Sequence, residues 1–190
     1  MQSNLLNWIY GLWIAFLAIW AIGAARTKQT ARSQPFLELL LQRCLAAAGG
    51  ILLFVPRLSV SWLGLGLLPD STALAYLGVA MTAGGIGFAV WARFALGRNW
   101  SGNVTIKRDH ELIRRGPYTL VRHPIYSGLL LALLGTAIYV NELRGLIAVA
   151  MVTVGFWLKA RTEESFMLQQ FGEQYRRYQR DVKALIPFVL

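Results

Sequence analysis

Apolar residues run along this chain in blocks of about 20, the length an α-helix needs to cross a hydrocarbon core of about 30 Å. The blocks cover residues 5–25, 36–56, 72–96, 124–140 and 144–158 and predict five membrane helices. The first holds no charge and has no basic flank before it, so it reads as a retained span and not as a cleaved signal peptide. Within the second, Arg43 is the one charge after Glu38 at its edge; a snorkelling or paired arginine explains it, and a place in a buried ligand pocket is the sharper alternative. The third is rich in Gly and Ala, with a Gly84-Gly85-x-Gly87 patch suited to close helix packing. Residues 57–69 are short, apolar and Gly-punctuated, and fit either an interfacial segment or a long turn.

Polar positions between the blocks are biased in sign. Arg26, Lys28 and Arg32 follow the first block, and Arg93, Arg98, Lys107, Arg108, Arg114, Arg115 and Arg122 gather around the third connection. Lys159, Arg161, Arg176, Arg177, Arg180 and Lys183 occupy the tail. Five crossings put all three groups on one side and leave only Arg57 and Arg144 on the other; four or six would scatter them. The excess of basic residues on cytoplasmic loops then places the N-terminus outside and the C-terminus in the cytoplasm.

Composition agrees with an integral membrane protein in contact with the lipid bilayer. Of 190 residues, 56% are hydrophobic and 15% charged, with 19 Lys+Arg against 9 Asp+Glu for a net charge of +10. A mean hydropathy of +0.47 excludes a disordered chain. So apolar a background also argues against nucleic-acid binding, whose basic residues would cover a polar surface. The single cysteine, Cys44, leaves no disulfide framework and no cysteine metal site, and no metal is expected. Residues 25–32 read ARTKQTAR, identical to the start of the mature histone H3 tail; with no other chromatin feature present, the stretch is taken as loop charge.

Candidate chemistry is confined to two polar stretches, residues 98–126 and 159–187. Both histidines, His110 and His123, fall in the first, with Tyr118 and Tyr126 flanking His123. Gly116-Pro117-Tyr118 signals a turn. His123-Pro124 signals a helix start, because proline suits the first helical position and pushes the residue before it to an extended backbone. Arg122 and His123 thus lie at the positive end of a helix dipole, where they can meet an anionic group or simply anchor the helix at the headgroups. In the second stretch Phe166, Phe171, Tyr175, Tyr178, Val182 and Leu185 recur at near-helical spacing and predict an amphipathic helix, lying on the membrane or packed over the first stretch. Glu163 and Glu164 are expected in its first turn, where they either stabilise the helix start or bind a ligand.

Several of these residues form an ordered set. Lys107, His110-Glu111-Leu112-Ile113, Gly116-Pro117-Tyr118, Val121-Arg122-His123-Pro124-x-Tyr126-x-Gly128, Arg161-Thr162-Glu163-Glu164 and Phe171-Gly172-x-x-Tyr175-x-x-Tyr178 resemble the isoprenylcysteine carboxyl methyltransferase family. That family lies within a wider group of integral-membrane methyltransferases that includes the phospholipid N-methyltransferases. The resemblance covers about residues 98–187, with the first three blocks alike only in hydropathy. It implies an all-α membrane bundle of about five helices with a cytosolic cofactor-binding cap and a C-terminal amphipathic helix. Residues 1–97 would form three N-terminal spans and residues 98–190 the methyltransferase core. The implied cofactor is S-adenosylmethionine, lined by Asn103, His110, Glu111, Leu112, Ile113, Tyr118, His123, Pro124, Ile125, Tyr126, Glu163 and Glu164. Arg161 with Glu163 or Glu164 would serve the cofactor and a carboxyl substrate.

Methyl transfer to a carboxylate needs alignment more than acid–base help, because the acceptor is already ionised near neutral pH. Arg161 or Arg122 would position it by paired hydrogen bonds, with Glu164 alongside. The leading expectation is therefore a membrane methyltransferase acting on the carboxylate of a lipidic or prenylated acceptor. Amine methylation of a phospholipid is the alternative, with Glu163, Glu164 or a tyrosine taking the proton. A sterol-type reductase using NADPH and a non-catalytic membrane scaffold are the readings from other classes; the short polar stretches argue against a dinucleotide site.

Overall fold

The computed structural model describes residues 2–24, 30–55, 61–97, 100, 105–107 and 111–186. Its elements are α1 (Gln2–Ala24), β1 (Thr30–Ser33), α2 (Phe36–Phe54), α3 (Thr72–Leu96), β2 (Thr105–Lys107), α4 (Pro124–Val140), α5 (Leu143–Phe171) and α6 (Glu173–Asp181). Helices dominate, as expected of the bundle. α1, α2, α3 and α5 are long and apolar enough to cross a membrane, while α4 is apolar but 17 residues long, about 26 Å. Their outer faces carry bare Trp8, Ile14, Leu17, Phe36, Leu37 and Phe94, as suits helices surrounded by lipid.

α4 lies against α3 along a seam of small residues. A Cβ on Gly78 would fall 2.7 Å from the Gly135 carbonyl oxygen, and one on Gly128 would fall 2.6 Å from that of Gly85. The Gly-rich patch of α3 therefore works through Gly85 alone, since Gly84 and Gly87 face open space. Within the seam the Thr82 and Thr136 hydroxyls meet at 3.2 Å, and the Trp13 indole of α1 donates to Thr136 at 3.1 Å. On the other side α2 packs on α5. There the buried Arg144 guanidinium, paired with Glu142, donates to the Leu52 and Val55 carbonyls at the C-terminal end of α2, where a helix dipole favours a cation. Residues 61–68 cap the same end: Leu143 N–H donates to the Leu65 carbonyl, and the Asn141 side chain bridges both backbone groups of Leu68.

The basic connections meet at the opposite end. β1 pairs with β2 in an antiparallel ribbon, Thr30 opposite Lys107 and Ser33 opposite Thr105, which joins the α1–α2 and α3–α4 connections. The tail reaches the same end through a bridge between Val121 and Lys183.

α5 departs from expectation. It was predicted to leave the membrane at residue 158 and be followed by a new helix, yet it runs unbroken for 29 residues to Phe171. Residues 159–165 contain no proline or glycine, and Lys, Ala, Arg and Glu among them propagate a helix readily. Glu163 and Glu164 are therefore mid-helix, not in a first turn. The break comes at Gly172, at φ 50°, before α6. The predicted amphipathic helix is thus divided, with Phe166 and Phe171 on α5, Tyr175 and Tyr178 on α6, and Val182 and Leu185 in the extended tail.

Candidate functional site

The site forms where the start of α4, the polar end of α5 and the tail converge. Gly116, at φ 61°, opens a single 3-10 turn over Gly116–Thr119 that buries Pro117 and Tyr118. The chain then runs extended beside the tail: Arg122 N–H donates to the Lys183 carbonyl at 2.8 Å and His123 N–H to that of Ala184 at 2.9 Å. The Ser127 hydroxyl closes on the Leu185 carbonyl at 2.5 Å, and the Tyr178 hydroxyl donates to the Tyr118 carbonyl at 2.6 Å. Residue 123 is left outside the helix by Pro124, so its imidazole can turn toward α5.

There it lies between two carboxylates. His123 Nδ1 is 3.4 Å from Glu163 Oε2, and Nε2 is 3.1 Å from Glu164 Oε1. The Tyr126 hydroxyl donates to the other Glu163 oxygen. Glu164 also accepts from Arg122 at 2.8 Å and from the Gln179 amide at 2.8 Å. Only 7% of the His123 surface is exposed. Burial works against a charged imidazole, but the hydrogen bonds to Glu163 and Glu164 outweigh it and raise the pKa of His123. Glu163 and Glu164 are thus set against the Arg122 guanidinium and an imidazole whose charged form they favour, the pairing that a buried charge cluster needs.

Aromatic rings wall this cluster. Tyr126 stacks on His123 at 5.4 Å and on Phe156 at 4.8 Å between centroids, and the Lys159 ammonium approaches the Tyr126 ring to 5.5 Å. Burial pushes the hydroxyls of Tyr118 and Tyr175 upward and that of Tyr178 to about 12. These three therefore stay protonated at neutral pH and act as donors, not as proton acceptors.

Of the residues singled out from sequence, Arg122, His123, Tyr126, Glu163 and Glu164 are in direct contact. Tyr118 and Ile125 are buried beside Tyr126 in one apolar cluster, with Ile113 packed against it and Pro124 buried next to it. Leu112 is half-buried and Glu111 exposed; Asn103 and His110 lie outside the described residues. Arg161 does not join them. It is exposed, lies over the Trp157 ring at 4.5 Å and faces a cleft toward α2. Arg122 is fully engaged: its Nε and Nη2 bond Glu164 and its Nη1 bonds the Gln179 and Val182 carbonyls, so it fastens the tail to α4. Sequence reading missed Phe156, Lys159 and Gln179. For the first two the signal was helical phase, since Phe156, Lys159 and Glu163 recur at steps of three and four on one face of α5.

Comparison with known proteins places this geometry in context. The phospholipid methyltransferase family model matches residues 73–174. A probable protein-S-isoprenylcysteine O-methyltransferase of Oryza sativa subsp. indica is 32% identical over 119 residues, which cover 61% of this chain and 62% of that one. Protein-S-isoprenylcysteine O-methyltransferase B of Arabidopsis thaliana is 35% identical over 96 residues, 49% of each chain. Among solved structures, the eukaryotic intramembrane Ras methyltransferase ICMT (isoprenylcysteine carboxyl methyltransferase) aligns with a TM-score of 0.54 and 26% identity, covering 77% of this chain and 52% of that one. The chain thus spans about half to three-fifths of the length of these relatives.

Proposed function

From the premise that this chain belongs to the phospholipid methyltransferase family, we propose that it is a membrane methyltransferase that uses S-adenosylmethionine and methylates the carboxylate of a lipidic or prenylated acceptor. The observation that carries this reading is the buried group of His123, Glu163, Glu164 and Tyr126 beneath the tail, together with relatives named as isoprenylcysteine O-methyltransferases. The residues suit the cofactor. A sulfonium is a cation, and here two carboxylates lie among the rings of Tyr126 and Phe156 in a largely dry place. When bound, S-adenosylmethionine supplies an electrophilic methyl group. The chain's part is alignment and exclusion of water.

Residues 183–185, pinned to residues 122–127 by backbone and Ser127 hydrogen bonds, close the site from solvent. Tyr126 and His123 hold the Glu163 carboxylate in place, and Arg122 does the same for Glu164. Lys159, on the face of α5 that carries Glu163 and with its ammonium over the Tyr126 ring, is the cation that positions the acceptor carboxylate; Arg161 lies on the opposite face. Residues 111–126 line the cofactor side of the site, and α1, α2 and α3 supply three of five spans. The basic end of the bundle faces the cytoplasm, with the N-terminus outside. An amine acceptor is the second reading, favoured by the family's phospholipid members and by Glu163 and Glu164 as proton acceptors.

Titration calorimetry on the purified protein tests the cofactor: S-adenosylmethionine binds and NADPH does not. His123→Asn and Tyr118→Ala each weaken binding about tenfold or more; unchanged affinity in both overturns the site. Labelled cofactor with a farnesylcysteine analogue and lipid extract then shows whether a carboxylate or an amine gains the methyl group.

A further inference from the structure

The basic residues of α6 stay outside the site. α6 turns Tyr175 and Tyr178 inward, both buried, and leaves Arg176, Arg177 and Arg180 exposed on its outer face, at the spacing of one side of a helix. Exposed Lys183 follows in the tail, and exposed Arg114 and Arg115 lie alongside, with Arg114 over the Tyr178 ring at 5.0 Å. Two acidic side chains share this surface: Glu173 faces Arg176 and Arg180 at 3.6 Å, and Asp181 pairs with Arg114 at 2.9 Å. Exposed pairs of this kind contribute little, and the surface keeps a clear positive excess.

Its neighbours fix its depth. α4 is 17 residues long, about 26 Å, and does not outreach a hydrocarbon core of about 30 Å, so its first residues lie at the lipid–water boundary. The tail is fastened to them: the Lys183 carbonyl accepts from Arg122 N–H, and the Leu185 carbonyl accepts from the Ser127 hydroxyl, one turn into the helix. On the other flank, a Cβ on Gly116 would lie 3.8 Å from the Trp91 ring, which is half exposed on α3 as suits an aromatic at the membrane interface. Leu120 and Ile186, in these same two stretches, are 47% and 53% exposed.

From this arrangement we infer that the outer surface of α6 and the tail docks on the anionic surface of the surrounding leaflet, and that docking holds the tail closed. Leu120 and Ile186 enter the edge of the hydrocarbon, while Arg115, Arg180 and Lys183 extend to the headgroups, the division of an interfacial segment. A negatively charged leaflet attracts basic side chains held within a Debye length of it, about 8 Å at physiological salt. Because the backbone of residues 183–185 is bonded to residues 122–127, attraction acting on these side chains presses the tail onto the start of α4. The charge of the membrane thus sets how often the tail opens. A soluble acidic protein would match the basic residues, but Ile186, next to a residue bonded one turn into α4, lies at the depth of lipid. The inference rests on the membrane placement of α4 and not on the methyl-transfer reading.

The test uses the whole protein in two kinds of nanodisc, phosphatidylcholine alone and phosphatidylcholine mixed with phosphatidylglycerol, without methyl donor or acceptor. Hydrogen exchange is followed in residues 173–185. Phosphatidylglycerol should slow exchange there about tenfold and leave α3 unchanged. Sodium chloride at about 1 M, which screens charges beyond about 3 Å, should remove the difference. The combined variant Arg115→Gln, Arg180→Gln and Lys183→Gln should exchange alike in both discs. Ile186→Glu, which keeps every basic residue but sets an anion against the headgroups, should reduce the slowing to about threefold. Equal exchange of the unaltered protein in the two discs overturns the inference, and so does a tenfold difference that persists in both variants. Equal slowing by soluble polyglutamate in phosphatidylcholine discs would also overturn it, because the surface would then fit an acidic chain and not the bilayer.

Discussion

α4 is held in two different ways along its length. Beside α3 it is gripped by almost no side chain at all: Gly78, Gly85, Gly128 and Gly135 bring two backbones together, with Thr82 and Thr136 as the polar contact between them. At its start it is gripped by long charged side chains, Arg122 and His123 against Glu163 and Glu164. The first seam depends on shape and cannot respond to solution conditions. The second depends on charge state, and it holds the ionisable groups of the candidate site. A membrane protein has reason to separate the two, because small-residue packing works in lipid where burial of apolar surface gives no advantage over contact with acyl chains.

Breaking the small-residue seam should have the largest effect. A Cβ at Gly85 would collide with the backbone of Gly128 and Ala132, which cannot swing aside as a flexible side chain can. Gly85→Leu should therefore destabilise the protein by about 3 kcal/mol or more. Thermal unfolding in detergent measures it; a melting temperature near that of the unaltered protein would show that α3 and α4 are not in backbone contact.

The charged seam ranks next. Glu164→Gln keeps the shape but removes the charge that Arg122 and His123 share, and it sets an amide donor against a guanidinium. Because these groups keep some contact with solvent, the cost is set at about 2 kcal/mol, less than that of breaking a fully buried pair. Hydrogen exchange should locate the change at the tail, in residues 182–185, and not in α3. Exchange that rises equally in both places would mean that the two seams are one cooperative unit.

This difference also explains what could be read from sequence. The helices that carry the small-residue seam were legible, and so was Gly85: 72–96 and 124–140 match α3 and α4, and His123-Pro124 marks the start of α4 by backbone chemistry alone. Gly84 and Gly87, by contrast, face open space, and Gly78, Gly128 and Gly135 had not been singled out for packing. Such features are local. The charged seam was legible only in its membership. His123, Glu163 and Glu164 could be named, but the pairing of both imidazole nitrogens depends on α5 continuing through residue 158, and no break signal there was a weaker clue than the sudden polarity. Helical phase then decided which cation faces the cluster. Lys159 and Glu163 are four apart and share a face, whereas Arg161, two residues away, is carried to the opposite side. The β1–β2 ribbon had no signal in the hydrophobic pattern, since the residues of β1 and β2 form no apolar alternation of useful length.

pH separates the seams without mutation. His123 is held charged in the folded protein by Glu163 and Glu164, whereas an unfolded imidazole releases its proton near pH 6.5. Above that value the unfolded chain binds fewer protons than the folded one, so the contribution is complete below about pH 6.5 and is lost as pH rises through the raised folded value. The melting temperature should fall across that interval, and in His123→Asn the fall should be reduced. Parallel profiles for the two proteins would place the titrating group elsewhere.

The smallest effect belongs to the polar contact inside the small-residue seam. Thr136→Val keeps the volume but removes the acceptor of the Trp13 indole and the partner of the Thr82 hydroxyl. Thr82 retains the Gly78 and Ala132 carbonyls as acceptors, and Thr136 otherwise bonds only within its own helix, to the Ala132 carbonyl. The loss should be about 0.6 kcal/mol, the usual worth of a hydrogen bond between membrane helices, and Trp13→Phe combined with it should add little. The double-mutant cycle read by thermal unfolding decides the matter. Additive losses would mean that Trp13 secures α1 through its ring contacts with Phe16 and Phe54 and not through Thr136, which would leave backbone approach as the sole fastening of the seam.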